Sequence, residues 1–355
     1  MGSHFLFYLD SQLTFTFPLY TPPLLSMATN TITVIGSLNY DVVTTSTRIP
    51  QAGETIAATN FETHNGGKGS NQALACAKLR ADRAATTVRL VGCVGADTFG
   101  DNIKAFLTQN GVDVGSVRTI GGGISTGVAT ILVDAASGQN RILVYPGANG
   151  AITETDITQA LSGSSSGVVV LQNEIPIKLV EHAIRTASAS GSNTIVYNPS
   201  PINADFDISL YRHVSCLLVN SIEAAAIVAH EPELAQLITR DDDAEQALAA
   251  IGPIARYLGL PRHIIITLGA QGCVYLDNSP GASDNKPVHV AAKKPANPII
   301  DTTGAGDTFL GGITAQLAEG NDLSHAVNVA LSASAIAITR NGAGDSIPDY
   351  SELAL

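Results

Sequence analysis

At 355 residues the chain exceeds the usual span of one hydrophobic core but suits a large α/β domain with a small appendage, and a second full-sized domain is not expected. With 45% of residues in the hydrophobic set and 14% charged, disorder along the whole chain is excluded. Nineteen basic against 31 acidic residues give a formal charge of −12, which repels a polyphosphate backbone and argues against a nucleic acid partner; any anionic ligand must be held locally, by backbone N–H groups and a few placed cations.

In chain order, residues 1–26 come first, with aromatic and proline-broken runs (FLFYLD, FTFPLY, TPPLL) but no basic n-region, unbroken apolar run or small-residue cleavage site. They read as a leader outside the fold, so the domain is expected over 27–355. No run reaches the roughly eighteen apolar residues of a membrane span, and no membrane partner is expected. Thr31–Gly36 then opens a series of Val- and Ile-rich runs, continued by Val88–Gly95, Gly167–Gln172, Thr194–Asn198, Val214–Asn220 and His263–Thr267. Ala-rich helical stretches separate them. One runs from Lys68 to about Arg80, with Ala73, Leu74 and Ala77 on its apolar side; another carries Leu248, Ile251, Ala255 and Leu258 after Asp241–Asp243, whose charge complements a helix N-terminus. This alternation predicts an α/β fold in three layers, a mostly parallel central sheet flanked by helices.

Two stretches, 41–64 and 126–145, break the rhythm and read as short strands joined by polar turns. Paired with each other they would form a small antiparallel sheet, a lid over the C-terminal ends of the parallel strands; ordinary surface hairpins would leave the same pattern. Asn278–Lys286 is a turn-rich loop. Cys76, Cys93, Cys216 and Cys273 lie far apart, with no C-x-x-C pair and no histidine at zinc spacing, and read as buried thiols. A reducing location is expected, the cytoplasm with the nucleus beside it.

Two glycine-rich segments carry the chemistry. In Asn65-Gly66-Gly67-Lys68-Gly69-Ser70-Asn71 three glycines precede a helix, which lets a ligand approach the backbone and the helix N-terminus; a capped turn would look the same. The spacing is not that of a Walker motif, and the first strand leads into Gly36-Ser37-Leu38-Asn39, with no G-x-G-x-x-G dinucleotide fingerprint. In Asp301-Thr302-Thr303-Gly304-Ala305-Gly306-Asp307-Thr308-Phe309, the glycines allow successive N–H groups to converge on an anion, and Asp307 adds a carboxylate at the same place. As a bland alternative, Asp307 would be a helix-dipole partner. Donors for a moving phosphoryl group beside an acceptor for a hydroxyl proton are what phosphoryl transfer requires.

These two segments, in this order and at this separation, are similar to the two signatures of the ribokinase-like carbohydrate kinases, also called the PfkB family, and the resemblance runs from about Thr31 to Pro348. It implies ATP-dependent phosphorylation of a small sugar, D-ribose at its 5-hydroxyl, with Asp307 as base and the Gly304, Ala305, Gly306 and Asp307 backbone as anion hole. Fructose, a keto-deoxy sugar acid or a nucleoside are alternative acceptors, and a sugar-binding regulator without catalysis is the alternative from another class. The resemblance assigns sugar contacts to Asn39, Asp41, Gly66, Gly67, Lys68, Asn71 and Glu174. It assigns the ATP site to Asn220, to Thr267, Leu268, Gly269, Ala270, Gln271 and Gly272, to Gly306 and Asp307, and to Leu331. Asn198-Pro199-Ser200-Pro201 resembles a further phosphate segment, and Glu223 would reach Mg2+ through water. Read alone, Asn220 is equally a loop cap. Asp301 and Thr303, with Ala337, Arg340, Gly342 and Ser346, resemble the two halves of a K+ site. Leu331 stands where bacterial-type members place a polar residue, which implies that adenine is held by backbone and apolar packing. In the family two lids often pack together, which implies a homodimer.

Overall fold

The computed structural model describes residues 30–354 apart from 138, 163–166, 192, 240 and 280–284. The leader 1–26 and the centre of the 278–286 loop lie outside the described residues. In chain order the elements are β1 (Asn30–Ile35), β2 (Asn39–Ser46), β3 (Asn60–Gly66), α1 (Lys68–Lys78), β4 (Thr86–Gly95), α2 (Thr98–Gln109), β5 (Asp113–Ile120), β6 (Gly127–Asp134), β7 (Asn140–Tyr145), α3 (Glu154–Leu161), β8 (Gly167–Leu171), α4 (Ile177–Ala189), β9 (Thr194–Tyr197), β10 (Cys216–Asn220), α5 (Ser221–Ile227), α6 (Pro232–Ala235), α7 (Ala244–Leu258), β11 (His263–Thr267), β12 (Cys273–Asp277), β13 (Val288–Val290), α8 (Ala305–Ala318) and α9 (Leu323–Ala337).

Nine strands form one sheet in the order β13-β12-β11-β10-β9-β8-β1-β4-β5. The seven from β11 to β5 run parallel, and β12 and β13 add an antiparallel edge. Successive side chains of a strand point to opposite faces, so each central strand feeds two cores. Val168 and Val170 join the side built with α1, α2, α8 and α9, while Val169 and Leu171 join the side of α3, α4 and α7. That accounts for the unbroken apolar runs in the sequence. All four cysteines are buried and free within these cores, and burial pushes the Cys76, Cys216 and Cys273 thiols up to about 12.

The second sheet has the order β3-β2-β6-β7 and is built from the two stretches that break the rhythm. Its hairpin pairs β2/β3 and β6/β7 are antiparallel, but the pair that joins the two stretches, β2/β6, is parallel, with Asp41 opposite Ala129. The expected antiparallel lid is therefore a mixed sheet. A period-two pattern fixes which side chains share a face and is blind to the direction of the partner strand.

Helices α1 and α8 meet at unusually close range. A Cβ on Gly311 of α8 would stand 2.2 Å from the Ala75 Cβ of α1, and one on Gly312 would stand 2.9 Å from the Ala330 Cα of α9. Gly311 is four residues after Asp307, and Ala75 four after Asn71, so this contact lies one turn below the loops where the two glycine-rich segments meet. Gly311→Ala should cost about 1–3 kcal/mol through overpacking, read as a lower urea midpoint with an unchanged slope.

Candidate active site

Polar side chains gather at the C-terminal ends of the parallel strands, where loops leave an α/β sheet. Ser37 follows β1 and Glu174 follows β8. Glu174 Oε2 accepts from the Ser37 hydroxyl at 2.6 Å and from the Lys68 N–H at 2.9 Å, which ties the start of α1 to two strands. Gly67 has φ 88°, and a Cβ there would stand 2.6 Å from the Asn39 nitrogen. A Cβ on Gly66 would stand 2.2 Å from Asp41 Oδ2, so the bare backbone makes room for that carboxylate. Asn39, Asp41, Gly66, Gly67, Lys68, Asn71 and Glu174 are thus brought together as the sequence implies.

Asn149, which the sequence reading missed, completes this side. Its side chain accepts from the Leu38 N–H at 2.8 Å and donates to Asn39 Oδ1 at 2.7 Å. Asn39 therefore turns its acceptor oxygen toward Asn149. A lone Asn in a Gly-Ala-Asn-Gly turn gives no sequence signal beyond turn chemistry.

Asp307 lies in the first turn of α8 and is buried. Its Oδ2 accepts from Asn71 Nδ2 at 3.3 Å and its Oδ1 from Gln72 Nε2 at 2.9 Å, so the late acidic residue and the early glycine loop share one place. Gly304 takes φ 76° as the N-cap of α8, and no side chain caps that helix. The Gly306 and Asp307 N–H groups find no acceptor among the described residues, and a Cβ on Gly306 would meet nothing within 4 Å. Free amides at a helix start next to open space form an anion site. Burial opposes the charge on Lys68, yet the carboxylates of Asp307, Glu174 and Glu223 hold its pKa above the ordinary lysine value.

Two cavities open at the residues on either side of Gly304, one at Asp301 and Thr303, the other at Thr302, Ala305 and Gly306. One, of about 460 Å³, lies between the lid and the loops around 300–303 and 341–343; Asp41, His64, Asp301, Thr303 and Gly342 line it. The other, of about 520 Å³, has apolar walls at Ile299, Phe309, Leu331 and Ile338, with Thr267, Gly269, Ala270, Gly272 and Gly306 beside them.

The model of the pfkB family carbohydrate kinases matches residues 29–350. The chain belongs to the pfkB family of carbohydrate kinases. It is 37% identical over 327 residues to a ribokinase of Schizosaccharomyces pombe, covering 91% of this chain and 96% of that one. Among solved structures, a ribokinase of Cryptococcus neoformans var. grubii serotype A in complex with ADP has TM-score 0.77 and 30% identity, covering 91% of this chain and 98% of that one. A ribokinase of Arabidopsis thaliana complexed with ribose and ATP has TM-score 0.76 and 27% identity, with 92% and 97% covered.

Several residues of this pfkB family chain sit differently from the sequence reading. Leu268 and Gln271 do not line the apolar cavity: Leu268 is buried in the core, and the Gln271 amide donates to the Asp242 carbonyl. Asn220 and Glu223 form a reciprocal cap on α5, Asn220 Oδ1 accepting from Glu223 N at 2.7 Å and Glu223 Oε2 from Asn220 N at 3.0 Å. Asn220 is thus a cap of α5, and neither residue is among those that line the apolar cavity. The Asn198 side chain points inward, donating to the Leu218 carbonyl at 3.0 Å. In the set read as a K+ site, Asp301 joins both halves, Oδ1 accepting from Thr303 N at 2.9 Å and Oδ2 from Gly342 N at 3.1 Å. The Arg340 guanidinium turns away to Glu352, the Ala337 carbonyl accepts from Arg340 N at 3.0 Å, and Ser346 is buried, donating to the Ala343 carbonyl.

Burial first, then the Glu174 and Asp307 carboxylates, push the Asp41 carboxyl up to about 7, against the lowering pull of His64. The ordinary value is 3.8, so the folded state holds this proton more tightly than the unfolded state does, and the group lowers stability as pH rises from about 4 to about 7. Asp41→Asn removes that loss. Denaturation midpoints across this range should show the variant gaining on its parent as pH rises, by at most about 4 kcal/mol.

Proposed function

We propose that this chain is a ribokinase, transferring the γ-phosphoryl group of ATP to the 5-hydroxyl of D-ribose. The observation that carries it is the placement of Asp307, with Asn71 and Gln72 on its two oxygens, free helix amides beside it, and two cavities at the neighbouring residues, one lined by Asp301 and Thr303 and the other by Ala305 and Gly306. The apolar cavity suits the adenine nucleotide, with Leu331 in its wall. The polar end near Asp41 suits the sugar: Asn39 offers a donor, and Asp41 and Glu174 offer acceptors, to a ligand made of adjacent hydroxyls. Among the described residues no arginine or lysine lines the cavity beneath the lid, which disfavours a sugar acid.

In the transfer, the ribose oxygen forms a bond to the γ-phosphorus while the bond from that phosphorus to the bridging oxygen of ADP breaks, and the hydroxyl proton passes to Asp307. A carboxylate is too weak a base to ionise an alcohol beforehand, so the proton moves late and alignment matters more than basicity. The Gly306 and Asp307 amides stabilise the charge on the moving group, and Lys68 adds a cation at the same place. A divalent cation accompanying ATP would neutralise phosphate charge, with Glu223 holding it through water. Asp301, Thr303 and the carbonyls of the 337–346 segment make an oxygen donor set that suits K+, which would stiffen the loop bearing the anion site.

The four buried, free thiols support a reducing setting, cytoplasmic with the nucleus beside it. A homodimer through the lid is supported by Phe61, Ile142, Leu143, Val144 and Tyr145, all more than half exposed on its edge strands β3 and β7. Sedimentation at micromolar concentration should give a dimer, and Val144→Glu a monomer.

A coupled ADP-release assay tests the reaction. Turnover should be strong with D-ribose and weak with fructose and adenosine; the reverse order would reassign the acceptor. Asp307→Ala should lower kcat by about 10²–10⁴-fold while ribose affinity by calorimetry changes only a few-fold.

A further inference from the structure

Gln72 lies on α1 beside Asn71 and is fully buried. Its Nε2 donates to Asp307 Oδ1 at 2.9 Å and, more loosely, to Asn198 Oδ1 at 3.4 Å. Asn198 cannot turn its own amide round without cost, because its Nδ2 donates to the Leu218 carbonyl of β10 at 3.0 Å. Its oxygen is therefore held toward Gln72. Turning the Gln72 amide over would set its oxygen against the oxygens of both Asp307 and Asn198. As it stands, Gln72 Oε1 is buried with no partner, a penalty the fold accepts to keep the NH2 on the carboxylate.

From this relay we infer that Gln72 is a positioning residue for phosphoryl transfer: anchored through Asn198 to the central sheet, it fixes the Asp307 carboxylate so that one orientation faces the sugar hydroxyl. The inference rests on Asp307 acting as the base. Two donors from successive residues of one helix, Asn71 on Oδ2 and Gln72 on Oδ1, set the carboxylate plane, as a single donor could not. Gln72 is fully buried, and its role is exerted through Asp307. Near-attack geometry is sensitive to displacements of this kind, so its loss falls on the chemical step and leaves ground-state binding largely intact.

The test compares Gln72→Met, Gln72→Glu, Asn198→Leu and Asp307→Ala, each rate divided by the ribose-binding sites counted by calorimetry so that misfolded material drops out. Gln72→Met, near in size but without a donor, should lower kcat about ten- to a hundredfold, with KM for ribose and ATP within about threefold. Asn198→Leu, which frees the amide to turn, should lower kcat by a smaller factor of about three to ten with the same KM pattern. Gln72→Glu sets a second carboxylate against Asp307, near Lys68. Once protonated it donates as the amide does, so its turnover relative to the parent should rise as pH falls; a purely structural defect has no such dependence. The inference is overturned if Asp307→Ala is inactive while Gln72→Met stays within about threefold of the parent kcat, if the losses fall on KM, or if the Gln72→Glu ratio is flat with pH. Full activity of Asp307→Ala would instead remove the base itself, and this inference with it.

Discussion

The site depends on how closely two helices approach. Asp307 begins α8, and its partners Asn71 and Gln72 lie in the first turn and a half of α1. Short side chains link the helices only because one turn further on Gly311 has no Cβ where the Ala75 methyl sits. Side chains on neighbouring helices ordinarily hold the axes 8–10 Å apart or more. A glycine against an alanine brings two helix N-termini together, and with them two sets of loop amides and the carboxylate between them.

Around that contact the charges are arranged locally, against the field of an acidic chain. Asp307, Glu174 and Glu223 strengthen the hold of the half-buried Lys68 on its proton, while Asp41 feels Glu174 and Asp307 as like charges. Burial first, and then the nearby Glu174 and Asp307 carboxylates, make Asp41 hold its proton to about 7. A neutral polyhydroxy ligand offers hydroxyl donors to such a cluster, whereas an anionic one would add to the repulsion. The positive elements, the free α8 amides and Lys68, suit the charge of a transferred phosphoryl group in the proposed reaction.

Much of this was legible in the sequence because steric necessity leaves glycines. Gly66, Gly67 and Gly304 each mark a place where a Cβ would strike backbone or a functional oxygen, and such constraints appear as fixed spacing. The parallel sheet was legible for a similar reason, since strands buried on both faces read as continuous apolar runs. The parallel β2/β6 pair was not, because alternation does not encode strand direction, and β5, with its mostly exposed or half-buried pattern, lacks the apolar run that marks its neighbours. Gln72, Asn149 and Ser37 were illegible for a different reason. Each acts by hydrogen bonding a residue distant in sequence, and a single amide or hydroxyl carries no periodic trace. Asn220 and Glu223, which the sequence reading gives to the nucleotide side, also cap a helix and each other, a local role that sequence spacing does not separate from ligation.

The central claim is that one carboxylate at the head of α8 stands between a sugar and a nucleotide. A crystal structure of the protein with D-ribose and a non-hydrolysable ATP analogue tests it most directly. The account predicts the ribose 5-oxygen about 2.6–3.2 Å from an Asp307 oxygen, with the γ-phosphorus opposite and the Gly306 and Asp307 amides on its oxygens. A sugar bound with that hydroxyl turned away from Asp307, or a nucleotide whose phosphates leave the α8 amides free, would contradict it.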